Sequence, residues 1–253
     1  MSSVIEIDGV TKSYGTFVAV QQLTLQVESG ELFAFLGPNG AGKTTTIKMI
    51  AGLLTPDVGT VRVCGHCMST DARVAKSQIA YLPDQPFLYD KLTGQEFLDF
   101  VGQMYDMDDQ TFRARSRMLV DRLQMSEFLN HLTETYSHGM KQRTALAGAL
   151  LHEPRVLVID EPMVGLDPRT VRRVKDLMRE MTRSGCTVFM STHTLEVAEA
   201  VADRIGIIHR GRLAAVGTLE QLRAQAERNE TLEDIFLRLT TDETDSTAET
   251  VPV

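Results

Sequence analysis

The chain has 253 residues, with 26 Lys and Arg against 34 Asp and Glu, for a formal net charge of -8. That length allows one large domain or two small ones, and an apolar content of 43% supports a core without disulfides or metal. So acidic a chain lacks the broad basic surface of general nucleic-acid binders, and no nucleic-acid partner is expected.

The first residues, MSSVIEIDGV, show no basic start followed by an apolar run, so no secretory leader is read there. No apolar stretch reaches the ~18 residues of a membrane span. The three cysteines fit a reducing compartment, and the expected location is the cytosol. Half of the net charge lies in residues 241–253, where Asp242, Glu243, Asp245 and Glu249 meet no base.

Leu23–Val27 alternates apolar and polar residues and predicts a half-buried strand, with Val4–Ile7 and Phe17–Val20 as its partners. Leu32–Leu36 is wholly apolar and ends in glycine, which predicts a fully buried strand entering a tight turn. Helical spacing follows over Thr44–Leu53, then short strands at Thr60–Val63 and Ile79–Leu82. From Thr93 to about Leu151 strand signals vanish. Glu96–Tyr105 and Asp109–Leu129 carry apolar residues three and four apart, as a helical insertion would.

Strands return at Arg155–Asp160, Thr187–Ser191 and Arg204–His209, separated by helical patterns at Thr170–Arg183 and Thr194–Ala202. Buried strands alternating with helices predict an α/β fold with a mainly parallel sheet. Thr218-Leu-Glu-Gln221 opens a helix to about Glu227, and Thr231–Leu239 predicts another. The last dozen residues read as disordered. Cys64 and Cys67 form a C-x-x-C with no second pair nearby in sequence. It reads as a strand-to-turn segment holding two thiols rather than a metal or redox site, because zinc usually needs four ligands.

Gly37-Pro38-Asn39-Gly40-Ala41-Gly42-Lys43-Thr44 fits G-x-x-x-x-G-K-[ST] between the buried strand and a helix. Glycines let backbone N–H groups wrap phosphates, and the helix N-terminus adds a favourable dipole. Lys43 is expected at the β/γ-phosphates and the Thr44 hydroxyl on Mg²⁺. This motif alone specifies only a nucleoside triphosphate. Val156–Asp160 is an apolar strand ending in the pair Asp160 and Glu161. Beside the phosphate-loop strand, it would carry Asp160 to the Mg²⁺ and Glu161 to the attacking water.

With these motifs the chain resembles the nucleotide-binding subunit of ABC transporters, from residue 3 to about 227. Tyr14 matches the aromatic that stacks on adenine, and residues 37–45, through Thr45, match the Walker A loop. Tyr136-Ser137-His138-Gly139-Met140 matches the signature motif, usually Leu-Ser-Gly-Gly-Gln, with His138 and Met140 as departures. Asp160 matches the Walker B aspartate, Glu161 the catalytic glutamate, Gly165-Leu166-Asp167 the D-loop and His193 the switch histidine. In Tyr81-Leu-Pro-Asp84-Gln85-Pro, Asp84 aligns with the usual Q-loop glutamine. Either Asp84 takes that role, with its carboxylate toward Mg²⁺, or Gln85 does so with a one-residue shift.

The resemblance implies a P-loop NTPase core with a mainly parallel sheet, an N-terminal antiparallel β subdomain and an α-helical subdomain inserted at about 86–152. It implies a cassette over 1–227 and a C-terminal extension over 228–253. It implies an ATPase that binds ATP and Mg²⁺ at a head-to-tail dimer interface, where Ser137, Gly139 and Asp167 of one subunit meet the nucleotide of the other. Catalysis falls to Glu161, His193 and Lys43. The implied partners are a second copy or a similar ATPase subunit and separate integral membrane permease subunits, with Phe87–Gly102 as the docking surface. The implied place is the inner face of the cell membrane, and the short C-terminal extension looks like that of exporters. Two alternatives stand beside this reading: an ABC ATPase with no transporter, and a regulatory nucleotide-binding module with little turnover. Deleting residues 241–253 is expected to leave ATPase rate and melting temperature almost unchanged. A large loss of either would give the acidic tail a structural or regulatory role.

Overall fold

The computed structural model describes residues 3–224 and 231–240. The acidic tail and the expected end of the helix near Glu227 lie outside those residues. Two twelve-residue strands, β1 (Ser3–Tyr14) and β2 (Phe17–Glu28), form an antiparallel hairpin that turns at Gly15 and Thr16. The two segments expected as separate strands, Phe17–Val20 and Leu23–Val27, are therefore one strand, and only β1 pairs with it. The polar step Gln21-Gln22 interrupts the alternation because Gln22 sits in the left-handed region (φ 48°), where the ladder register shifts.

A phosphate-loop strand β3 (Leu32–Leu36) leads to helix α1 (Lys43–Ile50). Next come β4 (Val58–Val63), the short β5 (His66–Cys67), helix α2 (Ala72–Ser77) and β6 (Ile79–Leu82). Cys64 and Gly65 are the two-residue turn between β4 and β5, both with positive φ. The described residues hold no cluster of three or more His, Cys, Asp or Glu able to bind a metal. Three helices follow: α3 (Gly94–Met104), α4 (Asp109–Arg122) and α5 (His138–Leu150). Helix α4 stops well short of the expected Leu129, since Gln124 adopts φ 49° and the chain turns there.

The C-terminal half runs β7 (Val156–Asp160), α6 (Pro168–Arg183), β8 (Thr187–Thr192), α7 (Leu195–Val201) and β9 (Arg204–His209). It continues with β10 (Arg212–Gly217), α8 (Leu219–Ala224) and α9 (Leu232–Thr240). The expected capping box at α8 is present in both directions: Thr218 N donates to Gln221 Oε1 and Gln221 N to Thr218 Oγ1.

The strands make two sheets. One is antiparallel, ordered β2-β1-β4-β5; the other is ordered β10-β9-β3-β8-β7-β6, parallel throughout except for the β10 edge. The β7 strand is thus not next to β3, as its acid pair suggested; β8 lies between them. That order still works, because parallel strands all end at the same edge.

Each face of the parallel sheet is covered. Phe33 and Phe35 of β3 pack with β1, β2, α1 and Phe189, while Leu32, Ala34 and Leu36 pack with the helices on the opposite face. This explains why β3 is apolar at every position. Phe189 is fully buried, with ring centroids 5.5 Å from both Phe33 and Phe35. Replacing Phe189 by Ala is expected to cost about 3–5 kcal/mol in urea unfolding. A cost below about 1 kcal/mol would show that this junction is loosely packed.

Candidate active site

The β3–α1 turn is shaped by close approach. A Cβ at Gly37 would collide with the Ile208 carbonyl, and one at Gly42, where φ is 107°, would lie 2.6 Å from the Ala19 carbonyl. Only glycine fits both places. Gly42 is the N-cap of α1 and supplies no side-chain acceptor, so the first N–H groups of that helix face the cavity unsatisfied. Those are the groups an anion takes.

Lys43 is buried beneath this loop. Its Nζ donates to the Gly37 and Pro38 carbonyls at 2.6 and 3.2 Å and lies 3.7 Å from Glu161 Oε1. Burial holds its pKa below the usual lysine value, while the carboxylates of Glu161 and Asp160 pull it back up. Thr44 is exposed, and its hydroxyl makes no hydrogen bond among the described residues.

At the end of β7, Asp160 is buried and its carboxylate accepts a hydrogen bond from the Ser191 hydroxyl of β8. Glu161 then turns into the left-handed region (φ 50°), a conformation that costs a non-glycine residue energy. Its N–H donates to Ser191 Oγ at 3.2 Å, and its Oε1 lies 2.9 Å from His193 Nδ1. The strained turn aims the Glu161 carboxylate at both Lys43 and His193.

Lys43, Thr44, Asp160 and Glu161 open on a cavity of about 520 Å³, which His193 does not itself line; it reaches the site through Glu161. Asn39, Gly40, Gly42, Lys43, Thr44 and Thr45 line its phosphate-loop side, and Asp160 and Glu161 its floor. Tyr14 lines the cavity and is half exposed. Asp84 and Gln85 both line the cavity, so lining alone does not separate them as the Q-loop group. Gly37, Pro38 and Ala41 shape the loop from behind, two of them offering the carbonyls that hold Lys43.

Ser137, Gly139 and Asp167 do not line this cavity. Ser137 is exposed and caps α5, accepting a hydrogen bond from Met140 N at 3.3 Å. Gly139 follows on the first turn of that helix. Asp167 caps α6, accepting from the N–H groups of Arg169 and Thr170 at 3.0 and 3.1 Å. The Thr170 hydroxyl also donates to it, which holds its pKa below the ordinary aspartate value.

The sequence reading gave no site role to the cavity residues Phe17, Ala19, Lys48, Tyr81 and Pro83, nor to Ser191 beside them. Phe17 pairs with Tyr14 across the β1–β2 turn and adds a second exposed aromatic rim. The Tyr81 hydroxyl is pushed up to about 12 by burial and then by the charges of Asp160 and Asp84. Ser191 was visible in principle as a small polar residue ending the apolar run Val188-Phe189-Met190.

Residues 20–164 match the family model described as ABC transporter. The linearmycin resistance ATP-binding protein of Bacillus subtilis is 36% identical over 218 residues, 86% of this chain and 70% of that one. A solved ATP-binding subunit of an ABC transporter superposes with a TM-score of 0.88 at 33% identity, covering 94% of this chain and 99% of that one. A dimeric ATP-binding cassette in a post-hydrolysis state with ADP and Pi gives 0.78 at 25% identity, over 85% of this chain and 98% of that one. The chain belongs to the ABC transporter family, on a P-loop NTPase fold. It is an ATP-binding subunit whose ATP hydrolysis is coupled to transport. Lys43→Ala is expected to weaken ATP binding by tenfold or more, about 1.4 kcal/mol at least, in a nucleotide titration. Unchanged affinity would contradict the cradle drawn for the phosphates.

Proposed function

We propose that the chain is the cytoplasmic motor of an exporter, working as a dimer on separate membrane subunits. The Glu161 carboxylate, set between His193 and Lys43 over the phosphate loop, is the observation that carries this reading. Glu161 accepts a proton of the attacking water in hydrogen bond and polarises it. His193 holds Glu161 in place, donating from Nδ1 when that nitrogen carries the proton. Lys43 and the N–H groups of the α1 N-terminus take the charge that develops on the γ-phosphate. Tyr14, with Phe17 beside it, presents a face for the adenine.

The donor set suits Mg²⁺, which prefers hard oxygen ligands. Thr44 offers an unbonded hydroxyl, and Asp160 and Asp84 offer carboxylates on facing sides of one cavity. These three would hold the ion, whose chemistry is to neutralise phosphate oxygens. The dimer reading rests on Ser137 and Gly139. They stand at an exposed helix N-terminus away from their own cavity, where a second subunit's γ-phosphate would find an anion site. Asp167 is read as the neighbouring contact at that junction.

We read residues 1–227 as the cassette, with the helical subdomain at about 86–152, and 228–253 as an extension. The membrane subunit would dock on Phe87–Gly102. Phe87 is 80% exposed there and meets Tyr89 edge-on, and Tyr89 meets Phe100 in turn. Such a run of aromatic rings facing solvent marks an interaction surface. No helix among the described residues is long and apolar enough to cross a membrane, which suits a motor bound to a separate permease. The resistance function named for the Bacillus relative supports outward transport.

Glu161→Gln tests the central role. The variant is expected to bind ATP, lose turnover by about a hundredfold or more, and accumulate an ATP-bound dimer in gel filtration. Near-normal hydrolysis would remove Glu161 from the chemistry.

A further inference from the structure

A second cleft, of about 330 Å³, lies behind the nucleotide cavity and is lined by Asp84, Gln85, Pro86, His138, Lys141 and Val164. Asp84 and Gln85 line both spaces. On the far wall stands Lys141, in the opening turns of α5. It makes no ion pair among the described residues, and neither does Asp84. One carboxylate and one ammonium thus face the same small cleft, each without a partner.

The wall that carries Lys141 is fixed. His138 Nε2 lies 3.1 Å from the Val164 carbonyl, and its ring fills the space beside Gly165, 3.0 Å from where a Cβ would be. Lys141 N donates to the Ser137 carbonyl at 3.0 Å, so the helix is regular at this point. The helix start has no acidic residue in its first turn, while it carries His138 and Lys141. The Lys141 ammonium near that end opposes the helix dipole, so a carboxylate brought near gains on two counts. The opposite wall, Asp84–Pro86, belongs to no helix or strand and joins β6 to the helices, so it is the wall able to shift.

We infer that Lys141 is a positioning residue for Asp84: its ammonium draws the carboxylate across the second cleft in the nucleotide-free chain, and Mg-ATP draws it back into the nucleotide cavity. The inference rests on the reading of Asp84 as a carboxylate that faces Mg-ATP. One side chain then has two alternative partners, and occupancy of one cavity changes the width of the other.

The competition has a measurable sign. A conformational state that withholds Asp84 lowers apparent affinity in proportion to the fraction of chains left competent. Lys141→Met is therefore expected to tighten Mg-ATP binding about three- to fivefold, the range open to a half-exposed ion pair, in titrations with a fluorescent ATP analogue. Lys141→Arg is expected to keep the original affinity, and Lys141→Gln serves as a second neutral variant should the methionine chain fold poorly. In an Asp84→Asn background, Lys141→Met is expected to change nothing. An equal shift in that background, or weaker binding on loss of Lys141, would overturn the inference. Asp84→Asn titrated alone against Mg²⁺ checks the underlying reading separately. An unchanged Mg²⁺ dependence there would sink the role of Asp84 itself, whatever Lys141 does.

Discussion

The site depends on one carboxylate held in a costly place. Glu161 is a non-glycine residue with φ 50°, and its side chain is drawn between Lys43 at 3.7 Å and His193 at 2.9 Å. Strain of this kind persists only where the surroundings over-determine it. Here the determinants are the Ser191 hydroxyl under the Glu161 N–H, the buried Asp160 one residue earlier, and the lysine beneath the phosphate loop. Asp160 and Ser191 come from the ends of β7 and β8, and Lys43 opens α1 after the loop that follows β3. A parallel sheet brings such ends to one edge, which is where nucleotides bind in folds of this type. The two adjacent acids lie beside the buried Lys43, and they raise its pKa against the larger, downward pull of burial.

The same constraint reaches outward through packing. One core cluster joins β3, β7 and β8 to the helices α3–α7, so a displacement at the cavity edge is passed on by close-packed side chains. The segment after β6, outside any helix or strand, is the link in this arrangement. It borders the phosphate-loop cavity on one side and the α5 cleft on the other, then leads directly into the exposed aromatic run at Phe87, Tyr89 and Phe100. The nucleotide cavity, the cleft beside α5 and the face proposed for docking therefore meet on one short stretch of chain.

Much of this was legible in the sequence, for local reasons. The phosphate loop announces itself because a buried strand, a glycine turn and a helix start are all encoded within a dozen residues. Asp160, Glu161 and His193 were placed correctly at strand ends because apolar runs stop there. What stayed hidden was either long-range or marginal. Nothing near Val156 states that β8 intervenes between β3 and β7. The β1–β2 hairpin was read as three pieces because its bulge at Gln22 breaks the two-residue period. Helix α2 has six residues and only Ala75 buried, and β10 is half-exposed, so neither carries a strong pattern. Phe17 and Ser191 join the site only through cross-strand neighbours.

The most direct test of the account is a high-resolution structure of the chain with Mg²⁺ and an ATP analogue trapped near the transition state. The account predicts the Glu161 carboxylate within hydrogen-bond reach of the water in line with the γ-phosphate, about 2.6–3.2 Å, with His193 still bonded to it. A Glu161 turned away from that water, with another group in its place, would contradict it.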